Sequence, residues 1–277
     1  MSEDVKLTAY FERIGFAGSI APTLATLEAL HGLQPAAIPF ENFNSLLGLP
    51  VPLDQASLNQ KLLTERRGGY CFELNLMLLR VLRELGFEAR GHLATVLWGA
   101  AEIGDATPDH MLITTDILGT TYLADVGFGG LLLTAPLQLE AGLEQTTPLG
   151  HYRLTGEDPA LRLEARRNGE WWPAYQFSLA EIDDATYAEV NGRLNADPEW
   201  FLRQHLLVER AAPDGRQMVF DGRLTTGGPE GEREDRLLAT VADIRETLTT
   251  GFSLDLPAAD GLDTILARLL AHSTAAG

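Results

Sequence analysis

The chain changes its hydrophobic pattern near residue 87, and this change limits the folds that it can adopt. Before it, apolar residues recur at helical spacing in segments that end at Gly15, at Gly32, at the pair Gly68-Gly69 and at Gly86. After it, short runs of valine, leucine, threonine and aromatic residues are separated by turn residues. The pattern predicts an α+β protein in which an N-terminal helical bundle precedes an antiparallel β-sheet or barrel.

From about Asp183 the pattern is mixed. WFLRQHLLVER, residues 200–210, reads as a helix, RQMVF and GRLTT read as strands, and two further helices are predicted near the C-terminus. We therefore predict three regions: a helical bundle at 1–90, a β-barrel at 91–190 and a smaller α/β region at 191–277.

Composition excludes several classes of function. The 39 acidic and 21 basic residues give a formal charge of -18, which argues against a nucleic-acid or anionic-membrane surface. One cysteine rules out an internal disulfide, and the six histidines show no zinc-ligand spacing, so no metal is expected. The first residues, MSEDVKLTAYFERIG, lack the apolar region of a secretory signal, and no segment reaches the roughly 18 apolar residues of a membrane span. We expect a cytoplasmic protein.

The single cysteine, Cys71, is predicted to lie at the N-terminus of a helix. The helix dipole and unpaired N–H groups there favour a thiolate, with a pKa below the usual value for cysteine. Gly68 and Gly69 precede it and are expected to let the backbone turn sharply and to leave room for a substrate. Cys71 is therefore a candidate nucleophile, although a free cysteine is also a common small core residue.

A predicted β-hairpin supplies partners for this thiol. If its loop is Leu118-Gly119, Ile117 pairs with Thr120, and His110 falls on the same face as Asp125, close enough for their side chains to touch. Acyl chemistry needs a base beside the nucleophile and a group that orients the base. Cys71, His110 and Asp125 could form such a triad, while a structural histidine and a turn-capping aspartate remain the alternatives.

Several motifs together resemble the arylamine N-acetyltransferase family. They are RGGYCFELN around Cys71, Asp-His-Met from Asp109, YLADVGFGG around Asp125, YFERIGF from Tyr10, IPFENF from Ile38 and FSLDLP from Phe252. The resemblance covers most of the chain and keeps the order of the family's blocks. It implies a helical bundle, a β-barrel and an α/β lid around a core of the cysteine-protease type.

The resemblance also implies an activity. Cys71 would be the nucleophile, His110 the base and ion-pair partner, and Asp125 the group that orients the histidine. The acetyl group of acetyl-CoA would pass through an acetyl-cysteine to the nitrogen of arylamines and arylhydrazines, or to the oxygen of N-hydroxyarylamines. Phe40 and Phe128 match positions that line the acceptor pocket, although core packing is the alternative for both.

Three glycines, Gly127, Gly129 and Gly130, resemble the loop beside which the coenzyme A arm passes. They lack the spacing of a dinucleotide-binding fingerprint, so their implied role is to permit close approach of the thioester arm. Asp109 departs from the family pattern, in which a threonine commonly precedes the histidine. If its side chain points inward, we expect it to raise the proton affinity of His110 or to change the acceptor preference.

Three rival functions stay open from the sequence. A macrolactam-forming amide synthase would use the same triad with an acyl chain bound to a carrier. A papain- or transglutaminase-like hydrolase uses the same three residue types and needs no coenzyme A. A non-catalytic binding module would keep the pocket and form no acyl-enzyme.

Overall fold

A computed structural model describes residues 4–98, 100, 103–104, 106–212, 215–228 and 233–275. Within these ranges its helices, numbered in chain order, are α1 Leu7–Ile14, α2 Leu24–Ala37, α3 Phe43–Leu47, α4 Gln55–Leu58, α5 Cys71–Glu84, α6 Asp184–Ala196, α7 Phe201–Gln204, α8 Val241–Glu246 and α9 Leu262–Ala275. Two π-helical turns, Asn59–Thr64 and Thr247–Gly251, continue α4 and α8.

The strands alternate in direction with their neighbours. They are β1 Phe40–Glu41, β2 Glu88–Val96, β3 His110–Ile117, β4 Thr120–Ala124, β5 Leu137–Gln138, β6 Glu144–Thr147, β7 Gly150–Thr155, β8 Leu161–Arg167, β9 Glu170–Phe177, β10 Leu207–Ala212, β11 Gly215–Phe220, β12 Arg223–Gly227 and β13 Arg233–Leu237.

Eight strands form a nearly closed antiparallel barrel in the order β5-β4-β3-β2-β9-β8-β7-β6. Its two edges meet through side-chain to backbone hydrogen bonds: the Gln138 N–H donates to Gln145 Oε1 at 2.7 Å, and Gln145 Nε2 donates to the Gln138 carbonyl at 2.9 Å. These bonds satisfy edge groups that a two-residue strand would otherwise expose. The α+β architecture predicted from the sequence is confirmed.

The predicted hairpin between β3 and β4 has the expected register. Ile117 pairs with Thr120, and both loop residues, Leu118 and Gly119, have positive φ, of 50° and 84°. A two-residue loop with positive φ at both positions has a backbone twist that matches the twist of the strands it joins. Leucine is an unusual residue at such a position. This turn fixes which face of the hairpin carries His110.

A second, five-stranded sheet has the order β1-β10-β11-β12-β13. Its first strand comes from the N-terminal region, where Phe40 pairs with Glu209 and Glu41 with Val208. The α/β region is therefore tied to the helical bundle by backbone hydrogen bonds, and the boundaries at residues 90 and 190 stay predictions.

Two helix predictions were wrong in part. The second helix does not end at Gly32 but continues to Ala37 and contains Pro35. Gly32 lies inside this helix, on the side that packs near the Thr134 carbonyl. Of the helix predicted at residues 200–210, only α7 forms, and Leu207–Ala212 is a strand because it pairs with β11 and β1. Tertiary pairing thus overrides local pattern at this point.

No helix in the described part of the chain is long and apolar enough to span a membrane. The buried apolar residues form three clusters, one around α5, one inside the barrel and one between the five-stranded sheet and the C-terminal helices. The site described next lies where strands of both sheets meet the N-terminus of α5.

Candidate active site

Cys71 is the first residue of α5 and is buried. The helix start is held by Glu73, whose carboxylate accepts the Tyr70 N–H at 3.1 Å and pairs with Lys61 at 2.7 Å. Lys61 also lies 3.7 Å from Glu41, and Arg67 pairs with the same carboxylate at 2.6 Å. A buried network of charges therefore fixes the backbone from which the thiol projects.

The glycine pair before Cys71 has a different role from the one predicted. Neither glycine has positive φ, and a Cβ on Gly68 would lie 2.1 Å from the Pro39 carbonyl oxygen. A Cβ on Gly69 would lie 2.9 Å from the Glu73 Cβ. The pair is small because the chain packs against β1 and α5, and not because substrate needs the space.

His110 begins β3, and its imidazole is held by Asp125. Nε2 lies 2.7 Å from Asp125 Oδ2, and both side chains are almost fully buried. Nε2 is therefore the nitrogen that carries the proton shared with the carboxylate, which leaves Nδ1 for exchange with a reacting group. The ring also contacts Phe128 and Tyr175, with centroids 5.0 Å away in each case.

Asp125 is anchored by groups that the sequence did not identify. Its Oδ1 accepts hydrogen bonds from Asn75 Nδ2 and from the Gly127 N–H, both at 2.9 Å. Asn75 also donates to the Met111 carbonyl at 2.6 Å. Burial acts to raise the pKa of Asp125, but the charge of protonated His110 and these hydrogen bonds outweigh it, so the net pKa is lowered. Asp125 is held as a carboxylate.

Asn75 follows Cys71 by four residues, so both lie on one face of α5. That spacing within RGGYCFELN was the signal that could have identified it. A second unforeseen contact is His31, whose Nε2 accepts the Asp125 N–H at 3.1 Å. Burial lowers the pKa of His31 to about 4, against the opposing charge of Asp125, so this histidine is neutral at neutral pH.

Cys71 and His110 line the same cavity, which has a volume of about 570 Å³. Phe40, Phe128 and Trp98 contribute aromatic walls, and the Trp98 and Phe128 rings meet edge to face at 5.8 Å. Both phenylalanines predicted from the family motif thus reach the cavity. Both phenylalanines are also nearly fully buried, so each one packs in the core and lines the cavity at the same time.

The three predicted glycines line the cavity as well, and each has a local packing reason. A Cβ on Gly127 would lie 2.8 Å from the Cys71 Cα, and one on Gly129 would lie 2.7 Å from the Phe40 ring. Gly130 has a φ of 93° and its Cβ would lie 2.4 Å from Trp98. Their role beside a coenzyme A arm stays a prediction.

Burial raises the pKa of the Cys71 thiol well above its ordinary value, and the charges of Asp109 and Asp125 add to this. Backbone N–H groups of Phe72 and Met111 act in the opposite direction but do not outweigh burial. The expectation that the helix N-terminus gives Cys71 a low pKa was therefore wrong, because desolvation outweighs the effect of the terminus. Ionisation of the thiol requires a proton acceptor, and His110 borders the same cavity.

Asp109 lies beside the thiol. Its backbone carbonyl is 3.9 Å from Cys71 Sγ, and its Oδ1 accepts the Val96 N–H at 2.8 Å. Burial raises the pKa of Asp109 to about 6, and the bond from Val96 and the charge of His110 only partly oppose this rise. Asp109 therefore lies at the cavity, which is the inward position that the sequence left open.

Arginines form a rim around the same cavity, composed of Arg167 on β8, Arg223 on β12 and Arg233 on β13. Burial, followed by the charges of Arg233 and Arg216, lowers the pKa of Arg167. Within the described ranges Arg167 has no carboxylate partner, and its guanidinium lies 4.8 Å from the Trp172 ring centroid. The rim concentrates positive charge in an otherwise acidic protein.

Across the residues that the structure describes, no group of three or more histidine, cysteine, aspartate or glutamate side chains could hold a metal ion.

Comparison with known proteins gives consistent matches. A model of the N-acetyltransferase family matches residues 23–261. Escherichia coli arylamine N-acetyltransferase is 38% identical over 250 residues, which cover 90% of this chain and 88% of that protein. The Salmonella typhimurium arylamine N-acetyltransferase / N-hydroxyarylamine O-acetyltransferase is 40% identical over 215 residues, 77% of this chain and 76% of its own. Mycobacterium marinum arylamine N-acetyltransferase in complex with CoA superposes with a TM-score of 0.86 at 33% identity, over 96% of this chain and 97% of that one.

Proposed function

The chain belongs to the arylamine N-acetyltransferase family, and from this premise we propose that Cys71, His110 and Asp125 carry out a two-step acetyl transfer from acetyl-CoA to an aromatic amine. The observation that carries the proposal is the joint placement of Cys71 and His110 on one aromatic cavity, with His110 held at 2.7 Å by a buried carboxylate. Asp125 keeps the imidazole in the tautomer that accepts a proton at Nδ1.

In the first step, Nδ1 of His110 takes the proton of the Cys71 thiol. The thiolate attacks the acetyl carbonyl carbon, and the carbon–sulfur bond to coenzyme A breaks. The coenzyme A sulfur leaves with the proton returned by His110, and an acetyl-cysteine remains. Because the thiol is buried and its pKa is raised, proton transfer to His110 supplies the thiolate that the cysteine alone would not form.

In the second step, the acceptor nitrogen attacks the acetyl carbon and gives one proton to His110. The bond between Cys71 sulfur and the acetyl carbon breaks, and the thiol recovers the proton. Backbone N–H groups at the start of α5 are the candidate donors to the oxyanion, a contribution worth about 2.7–4 kcal/mol per donor in other enzymes.

Phe40 and Phe128 are proposed to hold the aromatic ring of the acceptor, since both line the cavity that contains the thiol. Arylamines, arylhydrazines and the oxygen of N-hydroxyarylamines fit this apolar space. Gly127, Gly129 and Gly130 are proposed to border the thioester arm, because side chains there would fill the space beside Cys71, Phe40 and Trp98.

Arg167, Arg223 and Arg233 are proposed to bind the phosphates of coenzyme A. A chain with a formal charge of -18 repels a polyanion unless cations are gathered locally, and this rim gathers them at the cavity. The planar guanidinium of an arginine can donate two parallel hydrogen bonds to two oxygens of one phosphate.

The test is an intact mass of the purified protein after incubation with acetyl-CoA and no acceptor, repeated with Cys71→Ser. We expect one acetyl group on Cys71, none on the variant, and its loss on addition of an arylamine or arylhydrazine. A protein with a thiol that reacts with iodoacetamide but forms no acetyl-enzyme would overturn acetyl-CoA as the donor. Acylation by a carrier-bound chain, or hydrolysis of a peptide amide, would then identify one of the rival reactions.

A further inference from the structure

Asp109 is a charged side chain inside the cavity that the two-step reaction does not use. Its neighbour along the chain is His110, and its backbone carbonyl lies 3.9 Å from Cys71 Sγ. Asp109 also lines the same cavity as Cys71 and His110, the two groups between which the attacking nitrogen of the acceptor has to lie. Asp109 is therefore placed to distinguish acceptors by the groups next to that nitrogen.

The carboxylate is fixed and only partly satisfied. Oδ1 accepts the Val96 N–H at 2.8 Å, and Val96 itself lines the cavity. Among the described residues no residue other than Asp109 itself is recorded as a donor to Oδ2. A carboxylate oxygen that has no donor from a neighbouring residue can accept a hydrogen bond from a ligand that brings a donor.

Among the described residues no cation forms an ion pair with Asp109, although the charges of His110 and Arg193 act on it. His110 shares its proton with Asp125, and Cys71 is a thiol before reaction. Arg193 acts on Asp109 at longer range, but its guanidinium donates to Thr107 and to the Pro108 carbonyl. The carboxylate therefore faces the cavity as an anionic acceptor.

We propose that Asp109 is a specificity-determining residue that selects acceptors with a second N–H donor beside the attacking nitrogen, as in arylhydrazines and hydrazides, and disfavours acceptors with an anion there. The inner N–H donates to Oδ2 while the terminal nitrogen attacks the acetyl-cysteine, and no proton moves to Asp109. An arylamine has no second nitrogen and gains no such bond. This inference rests on the proposed function and names the acceptor class of the same site.

The experiment compares phenylhydrazine with aniline, which differ by one nitrogen, in the wild type and in Asp109→Asn. The acetyl-cysteine is formed with 4-nitrophenyl acetate, so the acceptor step is measured even if acetyl-CoA fails as a donor. We expect the ratio of deacylation rate constants, phenylhydrazine over aniline, to fall about tenfold in the variant, as loss of a charged hydrogen bond predicts.

A second pair of acceptors tests charge. The ratio for 2-aminobenzoate over 4-aminobenzoate should rise several-fold in Asp109→Asn, because only the first places a carboxylate beside the attacking nitrogen. Asp116→Asn is the matched control, since it removes the same charge from β3 at a residue that pairs with Arg90 and lies outside the cavity lining.

Asp109→Thr gives an independent reading if Asp109→Asn folds poorly, since threonine also lacks the charge. A purely structural role would lower the rates for all acceptors together and leave both ratios unchanged. Unchanged ratios in a folded variant would overturn the proposal. Failure of acetyl-CoA to acetylate Cys71, with the ratios shifted as expected, would overturn the donor assignment alone.

Discussion

The cavity has two regions that are built in opposite ways. At the reacting centre, defined as Cys71, Asn75, His110 and Asp125, the polar groups are buried and the carboxylate is bound from three sides. At the arginine rim the side chains are exposed or half-buried and repel each other. The first region thus holds a fixed geometry for chemistry. The second gathers positive charge for a ligand that comes and goes, and of its arginines Arg233 pairs with Asp235 at 3.2 Å.

The largest effect is expected at the centre of the first region. Asp125→Asn would retain the shape but remove the charge that fixes the tautomer of His110, so kcat/KM should fall by about 10³–10⁴. Steady-state rates with acetyl-CoA and aniline measure this fall in kcat/KM. Asp116→Asn, near the other end of β3, should leave the rate within about twofold. Equal losses in the two variants would show that the charge of Asp125 has no special role.

A smaller effect is expected for Asn75, which acts through Asp125. Asn75→Ala removes the hydrogen bonds to Asp125 and to the Met111 carbonyl, and about 10- to 100-fold loss in kcat/KM should follow. Because Asn75 acts through Asp125 and does not line the cavity, the loss should appear in kcat more than in KM. A folded variant with a normal kcat would remove Asn75 from the reacting centre.

Asp109 borders the reacting centre and differs from Asp125, because partial burial raises its pKa from 3.8 to about 6. The folded protein therefore binds this proton more tightly than the unfolded chain, and the stabilisation present below about pH 4 is lost as the pH rises through 6. Asp109→Asn should raise the free energy of unfolding by up to about 3 kcal/mol at pH 8, with little gain at pH 4. Urea unfolding of the wild type and the variant at both pH values checks this prediction. An equal gain in the free energy of unfolding at pH 4 and pH 8 would contradict it.

The smallest effects are expected at the rim, and the chain offers matched controls. Arg167→Ser or Arg233→Ser should raise the KM for acetyl-CoA about tenfold and leave that for S-acetylpantetheine, which has no such phosphates, unchanged. Arg166 precedes Arg167 on β8, and Arg236 lies three residues after Arg233 on β13. Both odd spacings place the control arginine on the other face of its strand, so the same changes there should have little effect. Equal effects in all four variants would point to net charge and not to a site.

Part of this arrangement follows from local sequence. The start of α5 at Cys71 follows from the apolar spacing of its residues, and the register of the β3–β4 hairpin follows from a two-residue loop at Leu118-Gly119. The face that carries His110 is set by the period of two along a strand. The family motifs also predicted the barrel and the lid, because a match over many ordered positions carries information that no single segment holds.

Other features depended on residues far apart in the chain. Asn75 and His31 reach Asp125 across 50 and 94 residues, and Glu41 meets Arg67 only because β1 passes beside the start of α5. The pKa of Cys71 was predicted in the wrong direction, since a helix terminus is visible in sequence but desolvation is not. Residues 207–212 likewise form a strand because partner strands lie on both sides.

The sequence by itself determined the nucleophile's position on a helix, the hairpin register and the membership of a family, since these depend on periodicity, turn chemistry and ordered motifs. Only the tertiary structure decided which groups bind Asp125, how deeply the thiol is buried, where Asp109 faces and which arginines meet at the cavity. The physical reason is that burial and charge–charge interactions depend on distances between elements, and those distances exist only after the bundle, barrel and second sheet have packed together.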